Sequence, residues 1–232
     1  INGVPLGFAN VFTRGDIGIV AASGTGLQQV SCLVDQLGCG ISQAIGTGGR
    51  DLNAKVGGLS MLKGLAMLAD DENTAVITLI SKPPAREIAE KVLALAAESG
   101  KPVVVNFLGA DADTLRGKNI FLAETLEQTA HMAVHLSRGS KPSEKTLPRH
   151  NLDEAELRGL LSPLSDSQTY VRGLYSGGTF SYEAMLLLEK EIGPVNSTTP
   201  LRPGHELNDI WTSTGNTILD LGDDLFTRGR PH

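Results

Sequence analysis

Short apolar segments alternate with amphipathic helical patterns along the first 137 residues, and this alternation limits the fold more than any other feature. The strand-like segments cover residues 17–22, 41–45, 75–81, 103–108 and 119–122, and the helical patterns cover residues 27–37, 59–69, 85–98 and 124–136. Such alternation is typical of a parallel sheet covered by helices on both faces. We therefore predict a doubly wound α/β domain, flavodoxin-like or Rossmann-like, over residues 1–137, with ligands at the carboxyl ends of its strands.

A second, similar domain is predicted after a linker. Residues 138–168 are polar and proline-interrupted, which is typical of a linker, with a short helix expected at 152–161. From residue 169 the order strand, turn, helix returns. Residues 169–232 therefore read as the incomplete start of a second α/β domain, and the chain reads as a fragment of a longer protein.

Two strand-to-helix turns have matching chemistry. They consist of Ser23, Gly24, Thr25 and Gly26 before a helix from Leu27, and of Ser176, Gly177, Gly178 and Thr179 before a helix from Phe180. A helix N-terminus attracts anions, and glycine lets an oxyanion approach the backbone. We predict that both turns bind phosphate and face one anion across a common cleft. The alternative is that the turns only cap helices and connect the chain.

Arg50 is a third candidate for phosphate binding. It lies in the segment GTGGRD, which follows the second predicted strand and so falls at the carboxyl edge of the sheet. A guanidinium can bind a phosphate or a carboxylate through two hydrogen bonds. The alternative for this segment is an exposed turn in which Arg50 and Asp51 face solvent.

Composition argues against several other function classes. The net charge of −6, without a basic run interleaved with aromatic residues, argues against nucleic acid as a partner, and no apolar run approaches membrane-spanning length. The chain has only two cysteines, Cys32 and Cys39, which predicts a protein of the reducing cytoplasm without a disulfide framework. We expect both thiols to be unreactive. His131 and His135 have the spacing of a metal pair but lack a third ligand, so no metal is predicted.

Several motifs resemble a known family. The segments GIVAASGTG, GISQAIGTGGRD, ITLISKPPA and KPVVVNFLGA resemble the ligase domain of the succinyl-CoA synthetase α subunit, and more closely the FdrA family of acyl-CoA-synthetase-like proteins. The segments RGLYSGGTFSYEAML and DLGDDLFTRGRPH are similar to FdrA segments specifically. The resemblance implies a succinyl-CoA synthetase type of fold. It also implies no cofactor on this fragment, because any CoA or nucleotide would bind to a domain that precedes it.

The resemblance also points to a missing catalytic residue. In the synthetases, two helix N-termini embrace a phosphorylated histidine in a Gly-His-Ala-Gly loop after the fourth strand. This chain has GADADTLRGKN at residues 109–119, without a histidine. We therefore assign no catalytic residue and no phosphohistidine equivalent.

The resemblance implies one main function, given first, and leaves two alternatives. FdrA proteins are associated with purine and allantoin degradation as subunits of oxamate carbamoyltransferase, which moves a carbamoyl group from carbamoyl phosphate to oxamate and forms oxalurate. The other two are an ADP-forming acyl-CoA synthetase and a non-catalytic scaffold subunit. The expected partners are a small-molecule phosphate or acyl phosphate and other protein subunits, and the fragment alone is expected to be inactive.

Overall fold

The structure, a computed structural model, describes residues 1–7, 10–110, 115, 117–142 and 153–229. The chain divides into two compact units, residues 1–146 (unit 1) and residues 147–232 (unit 2). Part of the predicted linker, residues 143–152, lies outside the described residues. Among the described helices, none combines the length and the apolar character needed to cross a bilayer.

Unit 1 contains a five-stranded parallel sheet. Its elements are β1 (Arg14–Ala21), α1 (Gly24–Gln36), β2 (Ile41–Gly46), α2 (Leu59–Asp70), β3 (Val76–Ser81), α3 (Arg86–Glu98), β4 (Val103–Phe107), β5 (Ile120–Leu122) and α4 (Leu126–Ser137). The strand order is β2-β1-β3-β4-β5, and every pairing is parallel. This confirms the predicted parallel α/β fold, and the order is that of flavodoxin-like domains.

Helices cover both faces of this sheet. Helices α2 and α3 pack together over one face, and α1 and α4 pack together over the other. All six residues of β3 are buried. A strand covered on both faces has no solvent side, which explains why β3 is apolar without alternation.

Two helices begin earlier than the sequence pattern predicted. Helix α1 begins at Gly24 rather than at Leu27, and α6 (Gly178–Ile192) begins at Gly178 rather than at Phe180. Part of each segment that we interpreted as a turn therefore belongs to the first turn of a helix. Apolar periodicity misses such turns because their side chains need not face the core, whereas the residue before each helix marks its start.

Unit 2 contains a small parallel sheet of its own. Its further elements are α5 (Glu154–Leu161), β6 (Arg172–Tyr175), β7 (Asn196–Ser197), β8 (Thr217–Asp220) and α7 (Asp224–Thr227). The strand order is β6-β8-β7, with both pairings parallel. Met185 of α6, Val195 and Ile218 form its buried core.

A carboxylate organises the turn after α2. Asp71 accepts hydrogen bonds from the Asn73 amide, the Thr74 hydroxyl and the Gln43 side chain. Desolvation by burial raises the pKa of Asp71, but these hydrogen bonds outweigh it and lower the pKa to about 2. The main chain of Asp71 also stabilises this turn, because its carbonyl accepts a 2.7 Å hydrogen bond from Lys101 Nζ.

Candidate functional site

The carboxyl ends of β1 and β3 form the topological switch point of unit 1. From β1 the chain continues to β2 on one side, whereas β3 lies on the other side. The Ala22 amide donates a 2.9 Å hydrogen bond to the Ile80 carbonyl, so the two strand ends remain paired where the chain leaves the sheet. Ligands of doubly wound folds bind in the crevice outside such a point.

Ser23 caps the helix that begins there. It has extended backbone angles, and its buried side chain accepts a 2.9 Å hydrogen bond from the Gly26 amide. The first intrahelical hydrogen bond runs from the Leu27 amide to the Ser23 carbonyl. The first turn of α1 contains no acidic residue. The partial positive charge of this helix end is therefore not offset by a carboxylate within its own first turn.

The two glycines of this first turn have different surroundings. A Cβ at Gly26 would lie 2.6 Å from Ser23 Oγ and 2.9 Å from Ile80 Cγ2, so this glycine lets α1 pack closely on β3. Gly24 is the first helical residue and is exposed. Gly24 therefore offers an accessible backbone at the helix start, whereas packing alone accounts for Gly26.

The loop that carries Arg50 lies beside the end of β1. The Thr47 amide donates a 2.8 Å hydrogen bond to the Ala21 carbonyl, and a Cβ at Gly49 would lie 3.7 Å from the Ala22 carbonyl oxygen. Arg50 is exposed. The structure thus brings the backbone of the Arg50 loop next to the segment that leads into Ser23.

Asp51 has a structural role that sequence reasoning missed. It is buried, and its two carboxylate oxygens accept hydrogen bonds from the amides of Ser60, at 2.9 Å, and Met61, at 2.8 Å. The residue before α2, Gly58, supplies no side-chain cap. Asp51 therefore caps α2 from a distance, and the alternative of an exposed Arg50–Asp51 turn is wrong for Asp51.

In unit 2, the buried carboxylate of Asp220 lies at the glycine-rich turn that precedes helix α6. Gly177 precedes α6 with a φ of 151°, and its amide donates a 3.0 Å hydrogen bond to Asp220 Oδ1. The Gly222 amide donates to the same oxygen at 2.9 Å. Asp220 is nearly fully buried at the end of β8, where it pairs in register with Tyr175. The start of α6 is therefore already next to a negative charge of the protein.

The two turns consequently differ in what they can attract. The start of α1 is capped by a neutral hydroxyl, whereas the start of α6 has the Asp220 carboxylate beside its preceding amide. Like charges repel, so an incoming phosphate is disfavoured at α6 relative to α1. Ser176 is exposed and Thr179 is buried. A cleft shared by both turns remains a prediction.

The described histidine residues lie in two places, on helix α4 and in a loop of unit 2. His131 and His135 lie half-buried on α4, and His205 lies in unit 2. In the described part of the chain, no three His, Cys, Asp or Glu side chains come together as metal ligands would. Of the histidine-free loop 109–119, residues 111–114 and 116 lie outside the described residues.

The residues around this site are similar to a known family of domains. Residues 12–109 match the family model of the CoA binding domain. The match spans β1 to β4 and includes Ser23, Gly24, Thr25, Gly26 and Arg50. The matched residues all lie within unit 1. That any CoA or nucleotide binds to a domain preceding this chain stays a prediction.

The curated proteins similar to this chain include the following two. The uncharacterized protein YahF of Escherichia coli K12 is 44% identical over 232 residues, which cover 100% of this chain and 44% of YahF. The α subunit of malate–CoA ligase from Methylorubrum extorquens is 28% identical over 95 residues, which cover 41% of this chain and 31% of that subunit. The chain thus spans less than half the length of the curated relatives it matches.

Proposed function

We propose that this chain is part of an acyl-CoA synthetase-like protein in which the N-terminus of α1 binds a phosphate group of CoA or of an acyl phosphate. The observation that carries the proposal is the start of α1, which is capped by a neutral serine, contains no acidic residue and follows β1 at the switch point. The match to CoA binding domains and the similarity to a CoA ligase α subunit support this ligand class.

The proposed chemistry uses backbone groups rather than a covalent carrier. The amides of Gly24 and Thr25 precede the first intrahelical hydrogen bond, so they can donate to phosphate oxygens. When a CoA thiolate attacks the carbonyl carbon of an acyl phosphate, a C–S bond forms. The bond between that carbon and the bridging oxygen breaks, and the oxygen leaves as part of inorganic phosphate. Donors fixed at the leaving oxygen stabilise this charge, and Arg50 on the neighbouring loop is a candidate for a further contact.

The test is a titration of the 232-residue chain with CoA, with acetyl phosphate and with inorganic phosphate by isothermal calorimetry. We expect Gly24→Val to weaken binding at least tenfold, because a branched side chain occupies the space that an oxyanion needs and about 1–3 kcal/mol is lost with each charge-assisted hydrogen bond. The matched control is Ala94→Val, at an exposed position of α3. A folded Gly24→Val variant with undiminished affinity contradicts the proposal.

Transfer of a carbamoyl group is a second candidate function. The observation that favours it is the absence of a histidine from residues 109–119, because direct transfer from carbamoyl phosphate to an amide nitrogen of oxamate needs a phosphate site but no phosphohistidine. In this alternative the chain belongs to a subunit of an FdrA-type oxamate carbamoyltransferase that works with other subunits.

One assay separates these candidates. The full-length protein, alone and together with candidate partner subunits, is tested for acyl-CoA formation and for oxalurate formation from carbamoyl phosphate and oxamate. Acyl-CoA formation supports the first candidate, and oxalurate formation supports the second. Activity of the partners alone, together with no ligand binding by this chain, supports a scaffold.

A further inference from the structure

Helix α5 carries an apolar face that the described part of the chain leaves uncovered. Leu157, Leu160 and Leu161 have the i, i+3, i+4 spacing of one helix face, and Leu164 lies in the turn that follows. None of the residues 154–161 is buried, and Leu160 and Leu161 are 68% and 58% exposed. A helix of eight residues is too short to be stable in water by itself. Its stability therefore depends on a surface that receives these leucines.

The small sheet of unit 2 has an uncovered apolar face as well. Side chains alternate between the two faces along a strand, and Tyr175 and Ile218 lie on the face that packs against α6. Leu174 and Leu219 pair in register, so they lie together on the opposite face. Leu174 is 70% exposed and Leu219 is half-buried. Parallel sheets are normally covered on both faces, so this face can receive a further apolar element.

The charges beside these two surfaces are complementary. Glu156 lies one turn before Leu160 on α5, and Arg172 lies two residues before Leu174, on the same face of the sheet. Within the described part of the chain, neither Glu156 nor Arg172 forms an ion pair. Residues one turn apart on a helix are about 5–6 Å apart, and residues two apart on a strand are about 7 Å apart. A helix that places Leu160 on Leu174 therefore brings Glu156 close to Arg172.

The guanidinium of Arg172 is held in position to receive a carboxylate. Its Nε donates a 2.9 Å hydrogen bond to Ser213 Oγ, and its Nη1 donates to the carbonyls of Val171 and Gly215. The group also lies over the ring of Tyr170, 5.3 Å from the ring centroid. Among the described residues, Nη2 has no hydrogen-bond partner. A positioned cation loses little conformational entropy when it binds an anion.

We propose that α5 of one copy of this chain docks on the Leu174–Leu219 face of a second copy, and that Glu156 pairs with Arg172 across the interface. Within one copy the helix and the face stay apart, because both are exposed. Since both belong to unit 2, two copies can exchange helices reciprocally about a two-fold axis. This contact involves unit 2 alone, so the inference is independent of the phosphate site proposed in unit 1.

The experiment measures the dissociation constant of the dimer by sedimentation velocity of the 232-residue chain over a wide range of concentrations. Leu160→Asp places a carboxylate in the apolar face of α5, and Leu174→Asp does so in the sheet face. Leu59→Asp is the matched control, because Leu59 of α2 in unit 1 is also 70% exposed. All three leucines are exposed, and thermal melts establish that each variant is folded.

We expect the unsubstituted chain to dimerise, and we expect Leu160→Asp and Leu174→Asp each to raise the dissociation constant at least tenfold. The control should stay within twofold of the unsubstituted chain. An equimolar mixture of Leu160→Asp with Leu174→Asp should associate more tightly than either variant alone, because one intact helix then meets one intact face. A chain that stays monomeric at every concentration, or a mixture that associates no better than its components, overturns the proposal.

A charge exchange tests the ion pair separately. Glu156→Lys and Arg172→Glu should each weaken dimerisation about fivefold or more, because like charges then face each other. The double variant Glu156→Lys/Arg172→Glu restores opposite charges and should dimerise more tightly than either single variant. Folded single variants with unchanged dimerisation, or a double variant weaker than both, contradict the pairing of Glu156 with Arg172.

Discussion

Replacing Gly26 with alanine tests how α1 is joined to the sheet. The added Cβ would lie 2.6 Å from Ser23 Oγ and 2.9 Å from Ile80 Cγ2, and both distances are shorter than ordinary van der Waals contact. Such overpacking costs about 1–3 kcal/mol, and displacing the Ser23 cap costs about 1 kcal/mol more. Alanine regains about 1 kcal/mol of helix propensity over glycine. We therefore expect Gly26→Ala to lower the free energy of unfolding by about 1–3 kcal/mol.

The assay is urea unfolding followed by far-ultraviolet circular dichroism, with thermal melts in parallel. A loss of about 2 kcal/mol corresponds to a fall in melting temperature of roughly 4–8 °C for a domain of this size. Gly46→Ala is the control in the same unit, because a Cβ at Gly46 meets no atom within 4 Å. We expect the control to change the unfolding free energy by less than about 0.5 kcal/mol.

A double-mutant cycle identifies the cause. Ser23→Ala in the unsubstituted chain removes the cap and should cost about 1 kcal/mol. In the Gly26→Ala background the cap is already displaced and the close contact with Ser23 Oγ disappears, so the same change should cost much less. Additive effects of the two substitutions, or a neutral effect of Gly26→Ala, refute the packing explanation of Gly26.

Four further outcomes are expected. Asp51→Ala should destabilise unit 1 by about 1–2 kcal/mol in urea unfolding, because two amides of α2 lose their acceptors. The low pKa of Asp71 stabilises the fold above about pH 4, and this contribution is lost as the pH falls toward about 2, so Asp71→Asn should flatten the loss of stability between pH 5 and pH 2. Asp220→Ala should destabilise unit 2 by about 2 kcal/mol, because the amides of Gly177 and Gly222 lose their acceptor. The fluorescence of Trp211, the single tryptophan of the chain, reports this unfolding. With a labelled acyl phosphate as donor, no acid-labile phosphohistidine should accumulate. A peptide with a labelled histidine, detected by mass spectrometry, would contradict this prediction.

The strands of unit 1 were predictable because their burial leaves a local signal. Residues 76–81 are continuously apolar apart from Thr78 and Ser81, and a strand buried on both faces needs such a run. The start of α1 was placed at Leu27 because apolar periodicity begins there. Its true start depends on the Ser23 cap, which a pattern of apolar residues does not include.

The roles of two carboxylates were not predictable from local patterns. Asp51 reaches the amides of residues nine and ten positions ahead, across a loop of irregular shape. Asp220 lies 43 residues after Gly177, and only the parallel pairing of β6 with β8 brings the two together. An acidic residue at the end of a strand that adjoins a glycine-rich turn is the one signal that sequence reasoning could have used.

Gln43, which also donates to Asp71, is joined to the segment before β1. The Asn2 main-chain amide donates to Gln43 Oε1 and Gln43 Nε2 donates to Asn2 Oδ1, both at 2.7 Å. These reciprocal hydrogen bonds have a consequence for how the protein behaves in concentrated solution. An edge strand with unpaired backbone groups is a template on which a second chain can add, and natural proteins cover or disrupt such edges. Here the segment before β1 lies over the edge strand β2, so it shields this template. Loosening the segment would therefore convert the sheet edge into a surface for self-association, even if every element of the sheet stayed folded.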